Sequence, residues 1–374
     1  MLRTFSTLAL AAFTGCGGAE APARDTAPPP AVLAPLGDTL LLAEAERRAA
    51  LLPRLTGMLV ARDGHIISEH YWRGAGADRV TNVKSASKSV LSALLGIAIA
   101  EGKVRGVDQP VSEILPEYFG AGTDPRKRAI TVGQLVSMTS GLQSTSFGGY
   151  GAWVSSRDWV GNALGRPLEA APGERMIYST GSTHILSAVL TRATGVSTRD
   201  YAARVLGEPL GIRIRPWQRD PRGIYFGGND MYLTPRAMLR FGELYRNGGV
   251  RGGRRVVPRE WIEASLVPRG NSDYSGFEYG YGWWLRRSGP YPVFFAWGYG
   301  GQFIFVVPEL RLTAVFTSVA DLPREGGHLP AVHALMDEQI VPAAAARLRA
   351  CADTSTSDTV RCPSLRPPRA IPSQ

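Results

Sequence analysis

The alternation of apolar and polar positions divides the chain into three zones. Residues 38–52 carry apolar side chains at helical spacing, which predicts an amphipathic helix. Residues 57–62 and 65–72 are β-rich runs around Asp63-Gly64, a strong hairpin signal. Near the other end, residues 293–297, 302–307 and 312–319 are further β-rich runs, the last two separated by a short turn containing Pro308. Between residues 101 and 290, helical stretches alternate with Gly- and Pro-rich turns. Residues 131–138 begin like a capped helix, residues 182–193 and 236–245 have helical periodicity, and Thr234-Pro235 supplies an N-cap and first-turn signature. Strands at both ends with helices between them predict one antiparallel sheet made from both termini, with a helical subdomain as the long insertion. A final helix over residues 330–350 is expected to cover the sheet and to be interrupted or divided at Pro342.

The most informative local pattern is Ser85-Ala86-Ser87-Lys88 at the start of the apolar run 90–100. Residues three apart on a helix share a face. A helix beginning at about Ser85 would set the Ser oxygen beside unpaired backbone N–H groups, where an oxyanion is stabilised, with the Lys amine one turn deeper. There desolvation disfavours the ammonium, and a neutral amine can take the Ser proton. The basic residues are 38 Arg and only 4 Lys, so a plain positive charge would usually have been Arg. Arginine cannot lose its proton, whereas a buried lysine can. The competing reading makes Ser85 a helix cap and Lys88 a snorkelling surface residue.

Composition narrows the field. With 374 residues and 44% hydrophobic content the chain can bury a large core. Its net charge of +10 comes from Arg scattered along the whole length, with no basic block, so a basic surface accounts for it better than nucleic acid. Residues 1–16 read as an export signal: Met1-Leu2-Arg3, an apolar stretch from Leu8 to Phe13, and Thr14-Gly15-Cys16, similar to a bacterial lipoprotein cleavage box. Phe13 departs from the usual Leu, so cleavage without lipidation remains an alternative. Residues 17–38, rich in Ala, Pro and Gly, suit an extended tether. Together these predict an exported protein, periplasmic or membrane-anchored through a lipid on Cys16. Cys351 and Cys362 then form an even pair that favours a disulfide within the tail 351–374, leaving residues 39–350 as the folded domain.

Other chemistry is thin. The five His (65, 70, 184, 328 and 333) show no metal spacing, and neither G-x-S-x-G nor G-x-x-x-x-G-K occurs, so no cofactor is expected and Ser85 is the best nucleophile. Tyr178 sits in a turn before a helix, where it could reach a cleft or be structural. The aromatic-Gly clusters 279–284 and 297–301 read equally well as core or as cleft wall.

Taken together, Ser85 to Gly102, Leu135 to Leu142, Pro172 to Tyr178, Gly227 to Pro235 and Trp297 to Gln302 resemble the serine hydrolases of the class C β-lactamase, D-aminopeptidase and esterase group, with the first stretch most like the 6-aminohexanoate-dimer hydrolase branch. The resemblance implies a β-lactamase/transpeptidase-like fold of mixed α/β class and an acyl-enzyme mechanism. In it Ser85 attacks a carbonyl, Lys88 accepts the proton, Tyr178 passes it to the leaving group, and the backbone N–H groups of Ser85 and Gln302 form an oxyanion hole, with Trp297, Tyr299 and Gly301 at the substrate. Two departures matter. The Y-x-N box reads Tyr178-Ser179-Thr180, and no Lys follows Lys127, so a K-T-G box cannot exist; Tyr299-Gly300-Gly301 replaces it. An ester or small amide is therefore the expected substrate, ahead of a β-lactam or a cell-wall-like peptide, and a catalytically silent binding lipoprotein is the third reading.

Overall fold

The computed structural model describes residues 36–321 and 326–346. Helix α1 (Leu36–Leu51) leads into strands β1 (Leu55–Arg62) and β2 (His65–Tyr71), and α2 (Ser87–Ala100) opens a long helical region that contains α3 (Thr180–Thr194) and α4 (Pro235–Arg246). The chain then returns to strand with β3 (Gly270–Asn271), β4 (Glu278–Tyr279), β5 (Trp284–Ser288), β6 (Tyr291–Gly298), β7 (Gln302–Val307) and β8 (Leu312–Ser318), before helix α5 (His328–Ala334). The eight strands form one sheet in the order β2-β1-β8-β7-β6-β5-β4-β3, and the pairings recorded between them are antiparallel. The expected sheet built from both ends of the sequence is present, with the N-terminal hairpin joined to the C-terminal strands by β1 and β8, the second and third strands from one edge, in the register Leu59↔Val315.

Strand alternation explains how one sheet serves two cores. Leu59, Ala61, Ile304, Val306 and Val315 face α2, α3 and α4, whereas Met58, Val60, Phe303, Phe305, Ala314 and Phe316 face α1 and the C-terminal helix. Helices on both faces leave β7 and β8 buried at every position. The helical insertion has no separate core: residues of α2, α3 and α4 pack in one cluster with the sheet's inner face. Helix α2 is buried over Ser87 to Ala98, as an apolar helix at the centre of a large protein must be. Asp63 and Gly64 both have positive φ, 54° and 80°, the two-residue geometry that suits a tight hairpin.

Two local expectations are corrected. Ser85 does not begin the α-helix; it lies in a 3₁₀ turn, Lys84–Ala86, and α2 starts at Ser87. Pro342 does not divide the final helix. The helix runs on from α5 through residues 335–340 as a π-helical stretch and continues to residue 346. The wider turn just before Pro342 takes up the ring and missing N–H that would otherwise break an α-helix. No helix among the described residues is long and apolar enough to cross a membrane. Cys16, Cys351 and Cys362, and with them the signal, most of the tether and the tail disulfide, lie outside the described residues.

Candidate active site

The turn that carries Ser85 is set by the residue before it. Lys84 has φ +50°, a left-handed conformation that costs a non-glycine residue on the order of 1 kcal/mol. Three contacts hold it: the Lys84 N–H donates to Asn82 Oδ1 at 3.0 Å, while Lys84 Nζ (3.2 Å) and Asn82 Nδ2 (2.7 Å) both donate to Asp230 Oδ1. Asp230 is itself left-handed, and the Val83 N–H donates to the Met231 carbonyl at 2.9 Å. The turn that carries Ser85 and the 228–231 loop are thus tied into one unit.

Lys88 is buried, at 2% exposure, and desolvation alone pulls its amine down to about 7. Its Nζ lies 2.6 Å from the Gly228 carbonyl, 3.1 Å from Ser85 Oγ and 3.2 Å from Thr180 Oγ1. A neutral amine has two protons and one lone pair. With the protons given to the Gly228 carbonyl and Thr180 Oγ1, the lone pair is left for the Ser85 hydroxyl, the orientation a general base requires. The snorkelling alternative is excluded by this burial.

Tyr178 stands on the other side of Ser85. Burial pushes its phenol up to about 12, opposed by a hydrogen bond with the Ser85 side chain, so near neutral pH it is a proton donor. Its ring sits 5.2 Å from Lys88 Nζ. The segment before it is pinned by main-chain bonds from Gly173 N to Thr139 O (2.7 Å) and from Ile177 N to Met138 O (2.8 Å). Helix α3 begins right after Tyr178 and lacks a cap of its own. Its orphan N–H groups are satisfied from another loop: Thr180 N donates to Ser146 Oγ (2.9 Å) and Gly181 N to Thr145 Oγ1 (2.7 Å), while Ser144 Oγ donates to the Tyr178 carbonyl (2.6 Å).

Ser85, Tyr178 and Thr180 open into a cleft of about 650 Å³, within the usual range for small-molecule sites. Trp297, Tyr299 and Gly300 line it; Gly301 and Gln302 do not. The Gln302 side chain is fully buried and turned away, its Nε2 donating to the Ser318 carbonyl at 2.6 Å and its Oε1 accepting from the Ser318 N–H at 3.2 Å. Any part Gln302 plays falls to its backbone. Gly301 stands where a Cβ would press on His328 and Ser318. His328 lines the cleft as a neutral ring; burial, then Arg54 and Arg73, pull it down to about 4. The sequence reasoning missed Thr180, Ser146 and Gly228. Only the run Ser144-Thr145-Ser146, rich in cap-forming residues, hinted at them.

A family model described as β-lactamase matches residues 53–335. The chain belongs to the β-lactamase family. Within this family it is 26% identical over 226 residues to the 6-aminohexanoate-dimer hydrolase of Paenarthrobacter ureafaciens, covering 56% of each chain. It is 28% identical over 187 residues to the esterase EstB of Burkholderia gladioli, covering 43% of this chain and 46% of EstB. The chain thus spans about half the length of these curated relatives. Solved structures with the β-lactamase-family fold include a penicillin-binding protein homologue from Caulobacter crescentus, with TM-score 0.66, 19% identity and 85% of this chain and 99% of that one covered. Another is EstCE1, a hydrolase with promiscuous acyltransferase activity, with TM-score 0.65, 18% identity and 81% and 98% covered.

Proposed function

We propose that this β-lactamase-family chain hydrolyses a neutral ester, or a small amide, through an acyl-enzyme on Ser85. The observation that carries the reading is the Lys88 amine, buried without a carboxylate partner and 3.1 Å from Ser85 Oγ. Ser85 Oγ attacks the carbonyl carbon as Lys88 Nζ takes its proton, and the backbone N–H groups of Ser85 and Gln302 receive the developing oxyanion. As the C–O or C–N bond breaks, Tyr178 gives its proton to the leaving group and is restored from the Lys88 ammonium. Water, activated by the same groups, then releases the acid.

The cleft wall supports an apolar acyl or alcohol arm. Five rings close a circuit beside Ser85: Phe147 to Tyr178 (6.2 Å), Tyr178 to Trp284 (5.7 Å), Trp284 to Trp297 (5.4 Å), Trp297 to Tyr274 (6.2 Å) and Tyr274 back to Phe147 (5.5 Å). Among the described residues no Asp or Glu lines the cleft, whereas Arg54 and Lys84 do, so a cationic substrate is disfavoured. Truncating Tyr274, 63% exposed at the rim, should break the circuit without disturbing the core. Tyr274→Ala is expected to raise KM for an aryl or butyryl ester about tenfold, the worth of one aromatic contact, and to leave acetate esters within twofold. Equal effects on long and short esters would remove the circuit from substrate binding.

The match to the β-lactamase family model favours a second reading, in which a β-lactam or a cell-wall-like peptide is the substrate. Mass spectrometry after exposure to p-nitrophenyl acetate, a fluorophosphonate and a penicillin separates the readings. A transient acetyl adduct on Ser85 is expected. A long-lived penicilloyl adduct would favour the second reading, and no adduct from any probe would leave only a binding protein. Export and a lipid on Cys16 are part of the proposal, supported by the pattern of residues 1–16.

A further inference from the structure

Beneath the cleft lies a buried polar pair that the mechanism above does not use. His184, on the second turn of α3, and Asp220 have fully buried side chains, with His184 Nε2 3.0 Å from Asp220 Oδ2. The pair sits among aromatic rings, with Trp159 at 5.3 Å, Trp153 at 5.8 Å and Phe226 at 5.9 Å from the imidazole. An apolar pair of similar size would be expected to serve a core at least as well. The other ring nitrogen shows what the pair is attached to: the Gly227 N–H donates to His184 Nδ1 at 3.2 Å.

That bond fixes the tautomer. Nδ1 accepts, so it carries no proton, and the proton sits on Nε2, donated to Asp220. Asp220 in turn is anchored as a carboxylate. Burial would push it up, but the hydrogen bond from His184 and those from the backbone N–H groups of Ile224 and Arg222 (2.8 and 2.9 Å, both to Oδ1) bring it below its ordinary range. Desolvation outweighs Asp220 and the more distant Asp158, keeping the imidazole neutral.

Gly227 is followed by Gly228, whose carbonyl makes the shortest of the three contacts to Lys88 Nζ, 2.6 Å. The two glycines are pressed between α3 and the lysine. A Cβ on Gly227 would strike the Thr183 carbonyl, and one on Gly228 would strike Lys88 Cγ and Thr183 Oγ1. Thr183 Oγ1 donates to the Gly227 carbonyl at 3.0 Å. Gly228 has φ +80°, so the direction of its carbonyl depends on how Gly227 is held.

We propose that the Asp220–His184 pair is a positioning device for the Ser85–Lys88 chemistry, aiming the Gly228 carbonyl at the Lys88 amine through the Gly227 N–H. The inference rests on Lys88 acting as the base. The carbonyl receives one amine proton in both states of the lysine, which turns the lone pair toward Ser85 and steadies the ammonium once it forms. The groups facing Lys88 are Ser85, Thr180, the Gly228 carbonyl and the Tyr178 ring; no charged side chain contributes to its shift. Displacing the carbonyl therefore acts directly on the proton equilibrium of the amine.

Asp220→Asn tests this with little change of shape. An amide cannot accept at both of its ends, so it must face either His184 Nε2–H or the Arg222 and Ile224 N–H groups with its NH₂; the first outcome also drives the imidazole to the tautomer that repels Gly227. In the native enzyme kcat/KM for an ester should rise with pH through an acidic limb near 7, as the ammonium gives way to the amine; absence of that limb would strike at the Lys88 reading and not at this one. In Asp220→Asn and in the milder His184→Asn, whose side-chain oxygen can still accept from Gly227, the limb should move to lower pH. The expected displacement is at least half a unit in Asp220→Asn and less in His184→Asn. A limb unmoved in both variants, whatever their stability, would overturn the positioning role. The native protein supplies a measurement free of folding defects: the ¹⁵N shifts of His184 should show Nε2 protonated and Nδ1 bare from pH 6 to 9, and the opposite tautomer would equally overturn the proposal.

Discussion

Lys88→Met is expected to lower ester turnover by at least ~10³-fold, as when a nucleophile loses its activating base, and at the same time to make the protein more stable below neutral pH. Methionine fills much of the same volume without a base. The stability sign follows from linkage. The Lys88 amine is at about 7 in the folded chain against 10.5 for an ordinary lysine, so between those values the unfolded chain binds more protons and stability rises with pH. Below about 7 both states are protonated, and the buried ammonium costs on the order of 5 kcal/mol, at about 1.4 kcal/mol per pH unit. Leaving the Gly228 carbonyl and Thr180 hydroxyl without their partner offsets roughly 1–3 kcal/mol of that gain. A melting temperature several degrees above the parent at pH 6, with the difference gone by about pH 9.5, is the result to look for by circular dichroism. Turnover within tenfold of the parent would remove Lys88 from the chemistry.

Tyr178→Phe should reduce kcat for an ester by about 10²- to 10⁴-fold with KM little changed. The ring remains against Trp284 and Phe147, so substrate packing survives, and only the hydroxyl beside Ser85 is lost. The comparison with an activated ester is informative. A p-nitrophenolate leaves without help from an acid, so the loss should be larger for an alkyl ester or an amide, whose leaving group must be protonated. A loss under threefold on an alkyl ester would make the tyrosine structural.

The parts of this architecture that were legible in the sequence are those written in local patterns. The paired β-rich runs at the two ends, the Asp63-Gly64 turn, Thr234-Pro235 ahead of α4 and the Thr131–Gln134 capping box all act within a few residues, and each is found where its chemistry puts it. The three-residue spacing of Ser85 and Lys88 likewise survives the change from α to 3₁₀ turn, because i and i+3 remain neighbours in either. What could not be read is what arrives from elsewhere. The Gly228 carbonyl reaches Lys88 across 140 residues and the Ser146 hydroxyl reaches Thr180 across 34. Neither a main-chain oxygen nor a lone Ser carries a signature. The aromatic-Gly cluster shows the same limit: Trp283 is core, 4.5 Å from Tyr245, and its neighbour Trp284 faces the cleft, a division made by strand alternation once the strand is placed.

The joining of β1 to β8, which attaches the N-terminal hairpin to the rest of the sheet, has a consequence for how the chain comes to exist at all. Leu59 meets Val315, so about 250 residues separate partners that lie side by side. On a ribosome adding roughly 5–20 residues per second, the β1–β2 hairpin waits some 12–50 s before the strand that completes it has been made. During that interval one edge, with Leu59 and Val60 on opposite faces, is an unpaired template open to other chains. Attachment of the N-terminal hairpin to the sheet is therefore a late, long-range event, and a chain stopped before residue 312 cannot complete it however well its helices have formed.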